Sequence, residues 1–112
     1  MQKPQKSEIQ LLHAEVCQAL ADPTRIMLLY LLADGPKNVG DLGTALDTSQ
    51  PTVSRHLKVL RERGMVTAER LGTNVNYSLS DRRVIEALDL LRAVMTDNLL
   101  QKTALVDLLN QV

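Results

Sequence analysis

The segment from Ser49 to Gly64 constrains the fold of this chain most, because it marks both ends of one amphipathic helix. Ser49 is expected to cap the first turn through its side-chain oxygen, Pro51 suits a turn whose N–H groups lack helical partners, and Gly64 can end the helix in the left-handed conformation. One face is apolar and is expected to dock on a core; it carries Pro51, Val53, Leu57 and Leu60. The opposite face carries Gln50, Thr52, Arg55, Lys58 and Glu62.

This polar face suits a helix laid in the major groove of DNA. Amides, hydroxyls and cations match the hydrogen-bonding groups of base edges and phosphates. An ordinary amphipathic surface helix has the same pattern. The sequence on either side of the segment therefore decides between the two interpretations.

Length and composition limit the class of protein. A chain of 112 residues makes one small domain with a limited core, and a hydrophobic content of 45% indicates that it folds. Because it has two Tyr and no Trp or Phe, we expect an aliphatic core and no aromatic platform for single-stranded nucleic acid. No phosphate-binding Gly-rich loop, nucleophile elbow or recognisable catalytic set occurs, so we predict that the protein is not an enzyme.

The charges are unevenly distributed, although the formal net charge is zero. Between Ser49 and Arg83 there are seven Lys and Arg against three Asp and Glu, whereas the rest of the chain has six against ten. A basic middle in an otherwise acidic chain is typical of a module that contacts phosphates.

The single cysteine and the polar start of the chain indicate the compartment. Cys17 has no partner for an intrachain disulfide, which favours a reducing environment. Residues 1–7 are predicted to form a short disordered arm, and no apolar run long enough for a signal peptide or a membrane span follows them. We therefore expect a soluble cytoplasmic protein with no membrane partner.

One folded domain is predicted over residues 8–112, beginning with three helices. Apolar residues at helical spacing predict the first over residues 8–21. Asp22 as N-cap begins the second, which is apolar almost all round and ends with Gly35 at C′. Asn38 or Gly40 begins a short third helix; its shared face carries Val39, Leu42, Ala45 and Leu46.

The next elements predict a helix-turn-helix followed by a β-hairpin. Asp47-Thr48-Ser49 forms a tight polar turn between the third helix and the Ser49–Gly64 segment. After Gly64 the apolar period changes to two, so residues 65–71 and 75–79 are predicted strands joined by Gly72-Thr73-Asn74. Such a hairpin either covers the core or acts as the wing of a winged helix-turn-helix, in which case Arg70 and Asn74 are the candidates to contact phosphates.

The last predicted helix, residues 81–110 with Ser80 as its cap, needs a partner. An apolar stripe about 45 Å long is too long to bury on so small a domain. The simplest partner is a second copy, joined through the first and last helices, which would match a pseudo-palindromic operator in double-stranded DNA. The candidate dimer-interface residues are Ile9, Leu12, Val16, Leu88, Leu91, Met95 and Leu99.

Three separated stretches resemble the ArsR-type (ArsR/SmtB) family of bacterial transcriptional repressors. They are residues 19–25 followed by the leucine pairs 28–29 and 31–32, residues 49–61 with 64–66, and residues 70–72 with 77–79. The resemblance implies a mainly α winged helix-turn-helix homodimer that leaves its operator when an effector binds, with a coupling of about 1 to 3 kcal/mol. The candidate DNA-binding residues are Ser49, Gln50, Thr52, Ser54, Arg55, His56, Lys58, Arg70 and Asn74.

The effector site departs from the family pattern. The resemblance implies a Cys-x-Cys pair of metal ligands at positions that here hold Asn38 and Gly40. The resemblance also implies a second metal site made of two carboxylates and two imidazoles. Asp81 and Asp97 match its carboxylates, but Arg83 and Val94 stand where the imidazoles would be. We therefore predict no cofactor at either site.

His13 and Cys17 are the remaining candidates for a metal, metalloid or redox effector. They are four residues apart and are expected on one face of the first helix. The alternative is a solvated His13 and a half-buried, apolar Cys17.

Two other functions fit the same pattern. A winged-helix module can serve protein contacts instead of DNA, and a DNA-binding regulator can act without sensing any effector. Steep salt dependence of duplex binding separates DNA binding from a protein-interaction role, because phosphate contacts release counterions.

Overall fold

In a computed structural model that describes residues 2–111, the chain forms five helices and three strands in two compact units that divide between Arg82 and Arg83. The helices and strands are, in chain order, α1 (Lys6–Leu20), α2 (Pro23–Ala33), β1 (Lys37–Asn38), α3 (Val39–Leu46), α4 (Gln50–Glu62), β2 (Val66–Leu71), β3 (Asn74–Leu79) and α5 (Arg83–Asn110). Across the described residues, no single helix is long and apolar enough to cross a bilayer.

Helix α1 begins at Lys6, two residues before the predicted start, and changes its hydrogen-bond pattern midway. Lys6–Leu12 and Gln18–Leu20 are α-helical, whereas His13–Cys17 forms a π-helical segment. In a π-helix each N–H bonds to the carbonyl five residues back, and here the Gln18 N–H donates to the His13 carbonyl. Met1, the first residue of the predicted arm, lies outside the described residues.

Helix α2 has the ends that the sequence predicts. The Asp22 carboxylate accepts hydrogen bonds from the backbone N–H groups of Thr24 at 2.8 Å and Arg25 at 3.2 Å. At the other end Gly35 has a positive φ of 133°. Three leucines of this almost wholly apolar helix are buried, whereas Met27 is 49% exposed.

Helix α3 begins at the first of its two predicted starts, because Asn38 Oδ1 caps it by accepting from the Asp41 N–H at 2.8 Å. The turn to α4 is tight: the Thr48 N–H donates to the Gly43 carbonyl at 2.9 Å. A Cβ atom on Gly43 would lie 2.8 Å from the Thr48 carbonyl oxygen. The predicted apolar face is wrong at Ala45, which is exposed, since Gly43 is buried instead.

The C-terminal end of α4 is closed by a glycine, as predicted. Gly64 has a φ of 75°, which a residue with a Cβ adopts only with strain. The Met65 N–H donates to the Leu60 carbonyl at 2.8 Å and the Gly64 N–H to the Arg61 carbonyl at 3.1 Å. These two bonds satisfy carbonyls that the end of a helix leaves without partners.

The hairpin pairs β2 with β3 in antiparallel register, from Val66 opposite Leu79 to Leu71 opposite Asn74. Its turn is Gly72-Thr73, one residue shorter than predicted, because Asn74 already belongs to β3. Only Gly72 has a positive φ in this turn, which is the requirement of a type II′ turn. The sequence did not predict β1, a two-residue strand that pairs with β3 and is too short to show a period.

Helix α5 begins at Arg83, two residues later than predicted. Ser80 therefore does not occupy its N-cap position; the Ser80 N–H instead donates to the Met65 carbonyl at 3.1 Å. The helix has 28 residues, about 42 Å at 1.5 Å per residue. Only Ile85 and Leu88 in it are buried, and every described residue from Asp89 onward is exposed.

The two glycines of α3 provide a matched test of the helix-turn-helix. We expect Gly43→Ala to destabilise the protein by about 1 to 3 kcal/mol, because the added Cβ displaces the Thr48 backbone. In Gly40→Ala the Cβ meets only the side chains of Asn38 and Gln50, at 3.4 Å and 3.6 Å. That variant should be neutral or about 0.5 to 1 kcal/mol more stable. Urea denaturation measures both; equal stabilities would contradict the close approach.

Candidate nucleic-acid interface

One face of α4 is fixed in the core. Val53, Leu57 and Leu60 have no exposed surface, and burying a side chain of this kind stabilises the fold by about 1.5 to 3 kcal/mol. Pro51, which the sequence assigned to the same face, is exposed. Because three consecutive contact positions are fully buried, the rotation of α4 about its own axis is fixed, and so is the face that it presents to solvent.

The opposite face carries the predicted polar residues. Gln50, Ser54, Arg55 and Lys58 are exposed, and Thr52 is half-buried beside them. The structure therefore leaves four of the candidate DNA-contacting residues open to solvent on a single helix, with Thr52 half-buried among them.

Thr52 organises the start of this face. Its Oγ1 accepts hydrogen bonds from Ser49 Oγ at 2.9 Å and from Arg55 Nη2 at 3.2 Å. Ser49 occupies the N-cap position, but its side chain makes no capping hydrogen bond, so the prediction of a side-chain cap is wrong. The Ser49 hydroxyl instead helps to hold Thr52 and, through it, Arg55.

His56 lies one helical turn beyond Thr52 and contacts a neighbouring helix. The ring is half-buried, and its Nδ1 is 3.4 Å from Nη1 of Arg25 on α2. Arg25 also donates from Nε to the Ala19 carbonyl at 2.7 Å and from Nη2 to the Gln18 carbonyl at 3.0 Å. Arg25 thereby connects the end of α1, the start of α2 and the middle of α4, which its position in the sequence does not reveal.

A second contact joins α1 to the end of α4. Arg63 Nη1 lies 3.1 Å from Glu15 Oε2, with side chains 40% and 46% exposed. An ion pair this exposed contributes about 0 to 1 kcal/mol, so it adds orientation more than stability.

The hairpin brings its two candidate residues toward its tip. Arg70 pairs across the strands with Val75, next to the turn, and both Arg70 and Asn74 are exposed. A polar cleft of about 500 Å³ lies between the start of α3, the start of α4 and the hairpin. Gln50 and Asn74 both line this cleft, so the structure brings the predicted wing close to the first residue of α4.

The effector candidates on α1 lie at the two ends of its π-helical segment. His13 and Cys17 bound the π-helical segment, and the His13 ring is 3.5 Å from the amide nitrogen of Gln18, five residues on. Cys17 is exposed instead of half-buried. Within residues 2–111, no group of three or more His, Cys, Asp or Glu is placed to hold a metal ion.

The charge of Asp22 is stabilised by its capping role. Desolvation raises the pKa of this carboxyl, but the backbone hydrogen bonds from Arg25 and Thr24 lower it. The positive charge of Arg25, and of His56 when that ring is protonated, acts in the same direction, and the net pKa lies below its ordinary value of 3.8.

Helix α3, the tight turn, α4 and the following hairpin together define a winged helix-turn-helix domain. Residues 22–68 match the family model for bacterial regulatory proteins of the arsR family. The chain belongs to this family.

Named relatives and a solved structure agree with this assignment. The chain is 45% identical over 76 residues to the HTH-type transcriptional regulator NmtR of Mycobacterium tuberculosis, matching 68% of this chain and 63% of NmtR, which is under two thirds of that relative. It is 40% identical over 89 residues to a biofilm growth-associated repressor of Agrobacterium fabrum, covering 77% and 76% of the two chains. The homodimeric winged helix-turn-helix DNA-binding domain Mb0332 of Mycobacterium bovis superposes with a TM-score of 0.72 at 31% identity, covering 87% and 90%.

The lowered pKa of Asp22 predicts a pH-dependent contribution to stability. The native state binds this proton less tightly than the unfolded chain, so the contribution is present above the ordinary pKa of 3.8 and is lost as the pH falls below it. Asn at this position can still cap but does not titrate. In urea denaturation, the stability advantage of wild type over Asp22→Asn should therefore shrink between about pH 6 and pH 3. Asp107→Asn controls for the loss of one negative charge; a gap for Asp22→Asn that does not change with pH would contradict the prediction.

Proposed function

We propose that this chain is a cytoplasmic, homodimeric transcriptional regulator that binds double-stranded DNA sequence-specifically and represses transcription. The observation that carries the proposal is the orientation of α4. Its apolar face is fully buried, which leaves amide, hydroxyl and cationic side chains exposed together on the other face. A helix with these properties, second in a helix-turn-helix, suits insertion into the major groove.

The residues of the exposed face divide into two roles. Arg55 and Lys58 carry the charge that binding to phosphates requires, whereas Gln50 and Thr52 suit contacts with base edges. Thr52 Oγ1 accepts from both Ser49 and Arg55, which leaves its own hydroxyl hydrogen for donation. Holding Arg55 before DNA arrives reduces the conformational entropy that binding costs.

The hairpin supports the proposal as a second contact surface. Arg70 and Asn74 are exposed near its tip, and Asn74 shares the cleft with Gln50. We propose that these two side chains contact the DNA backbone beside the groove that α4 occupies. Ser49 and Ser54 complete the proposed contact surface at the start of α4.

Two exposed apolar surfaces support the homodimer. On α1, Ile9 is 45% and Leu12 47% exposed, with Val16 half-buried beside them, and together they line a groove of about 500 Å³. On α5 the exposed candidates are Leu91, Met95 and Leu99. Apolar stripes of this extent usually mark an interface. Leu88 leaves the proposed interface, because it is only 6% exposed within a single chain.

The relatives support regulation of transcription. NmtR is named a transcriptional regulator, the Agrobacterium protein a repressor, and the Mycobacterium bovis domain a homodimeric DNA-binding domain. We propose the corresponding role for this chain. No effector is proposed, since the positions of the usual metal ligands hold other residues and no group of three or more His, Cys, Asp or Glu within residues 2–111 is placed to hold a metal ion.

Salt dependence of duplex binding tests the proposal. The logarithm of the affinity decreases linearly with the logarithm of the salt concentration. The magnitude of this slope decreases by about 0.9 for each phosphate contact that is removed. We expect Lys58→Ala and Arg55→Ala each to weaken binding and to reduce this slope by about one. Fluorescence anisotropy with a labelled duplex measures both quantities.

Arg92→Ala is the matched control. It also removes one exposed cation, but from α5, where Arg92 pairs with Asp89 at 3.2 Å. Its slope should equal that of the wild type. No duplex affinity in the wild type would favour a protein-interaction module, and equal slopes in all four proteins would remove α4 from the DNA interface.

A further inference from the structure

The three hydrogen-bonding nitrogens of Arg25 are all engaged. Nε and Nη2 donate to the carbonyls of Ala19 and Gln18, at 2.7 Å and 3.0 Å, and Nη1 faces His56 Nδ1 at 3.4 Å. The two carbonyls belong to the last turn of α1, where the backbone leaves carbonyls short of helical N–H partners, although that of Gln18 also accepts from the Ala21 N–H at 3.3 Å. The two carbonyls therefore fix the guanidinium group of Arg25 independently of His56, and its Nη1 lies within hydrogen-bond distance of His56 Nδ1.

This contact determines which nitrogen of His56 carries the hydrogen. A guanidinium group has only donors and stays protonated in proteins. Nδ1 of His56 must therefore accept, which requires an uncharged ring with its hydrogen on Nε2. Within residues 2–111 the His56 ring makes no second hydrogen bond, so the Nε2–H donor remains available.

We propose that Arg25 is a positioning residue for DNA binding, because it holds His56 as the Nε2–H tautomer and so prepares Nε2–H to donate to a backbone phosphate. The proposal rests on the proposed function. His56 is thereby separated from the cations of α4, since it contributes a neutral hydrogen bond without neutralising a phosphate. Removing such a bond lowers the affinity but does not change how many counterions are released on binding, so the salt slope stays the same.

The first experiment needs no DNA. Nitrogen-15 NMR of the 112-residue chain at about pH 8, where an unperturbed imidazole is neutral, reads the protonation of each ring nitrogen directly. The chain has two histidines, so a His13→Gln variant assigns both, and the exposed His13, whose ring contacts the Gln18 amide and not a guanidinium group, serves as the reference in the same spectrum.

We expect His56 to be a single Nε2–H tautomer in the wild type, and Arg25→Met to shift its Nδ1 signal toward that of His13. Met keeps most of the length of the Arg stem but removes every donor. If Arg25→Met does not fold, Arg25→Lys replaces it, because a single ammonium group cannot reach all three acceptors. Identical His56 signals with and without the guanidinium group would overturn the role of Arg25.

The second experiment measures affinity for a mixed-sequence duplex of about 30 base pairs, since phosphate contacts do not depend on sequence. His56→Phe keeps an aromatic ring but removes both nitrogens. It should weaken binding about tenfold, the value of a hydrogen bond to a charged group, with the salt slope unchanged. Lys58→Ala is the contrasting variant, in which the slope falls.

A double-mutant cycle separates positioning from general structural support. If Arg25 acts through His56, Arg25→Met should weaken binding about tenfold in the wild type but less than about twofold in the His56→Phe background. Full additivity would overturn the proposal, as would a slope that falls by about 0.9 in His56→Phe, because that would indicate a charged imidazole. If the wild type binds no duplex, the proposed function and the phosphate contact both fail, while the NMR result still decides whether Arg25 fixes the tautomer.

Discussion

The complete burial of Val53, Leu57 and Leu60 is the constraint on which the remaining features depend. In a chain of 112 residues without Trp or Phe, these three aliphatic side chains are among the few that are fully buried in the small core of the described residues. Their spacing leaves only one rotation of α4 about its own axis in which all three side chains are buried. The polar residues that alternate with them are then forced outward, so the requirements of folding also create the surface proposed to meet DNA.

Contacts at the C-terminal end and near the middle of α4 join this helix to its neighbours. Gly64 closes its C-terminal end, Glu15 pairs with Arg63 there, and Arg25 reaches His56 near the middle. Each contact is modest in energy, but together they connect α4 to α1 and α2. Because α1 also carries exposed apolar residues at the proposed dimer interface, the elements proposed to bind a second copy and to bind DNA are in direct contact.

Local signals in the sequence predicted most of the fold, and the misses have physical causes. Asp22 and Gly64 act at the helix ends as expected, since capping depends on only a few neighbouring residues. The Ser49 cap was wrong because the Ser49 hydroxyl donates to Thr52 instead of accepting from a backbone N–H, and β1 is too short to show a period. The π-helical segment at His13–Cys17 and the reach of Arg25 depend on hydrogen bonding that residue spacing does not encode, so the arrangement around His56 emerged only in three dimensions.

Selection of bound duplexes from a random-sequence library tests most directly whether this chain binds DNA sequence-specifically as a homodimer. The result depends both on the exposed polar face of α4 and on the presence of a second copy of it. The account predicts enrichment of an inverted repeat whose half-sites are centred about 10 base pairs, one helical turn, or a multiple of this apart. Bound sequences no different from the starting library would contradict sequence-specific recognition. Enrichment of a single half-site without its inverted copy would contradict the homodimer.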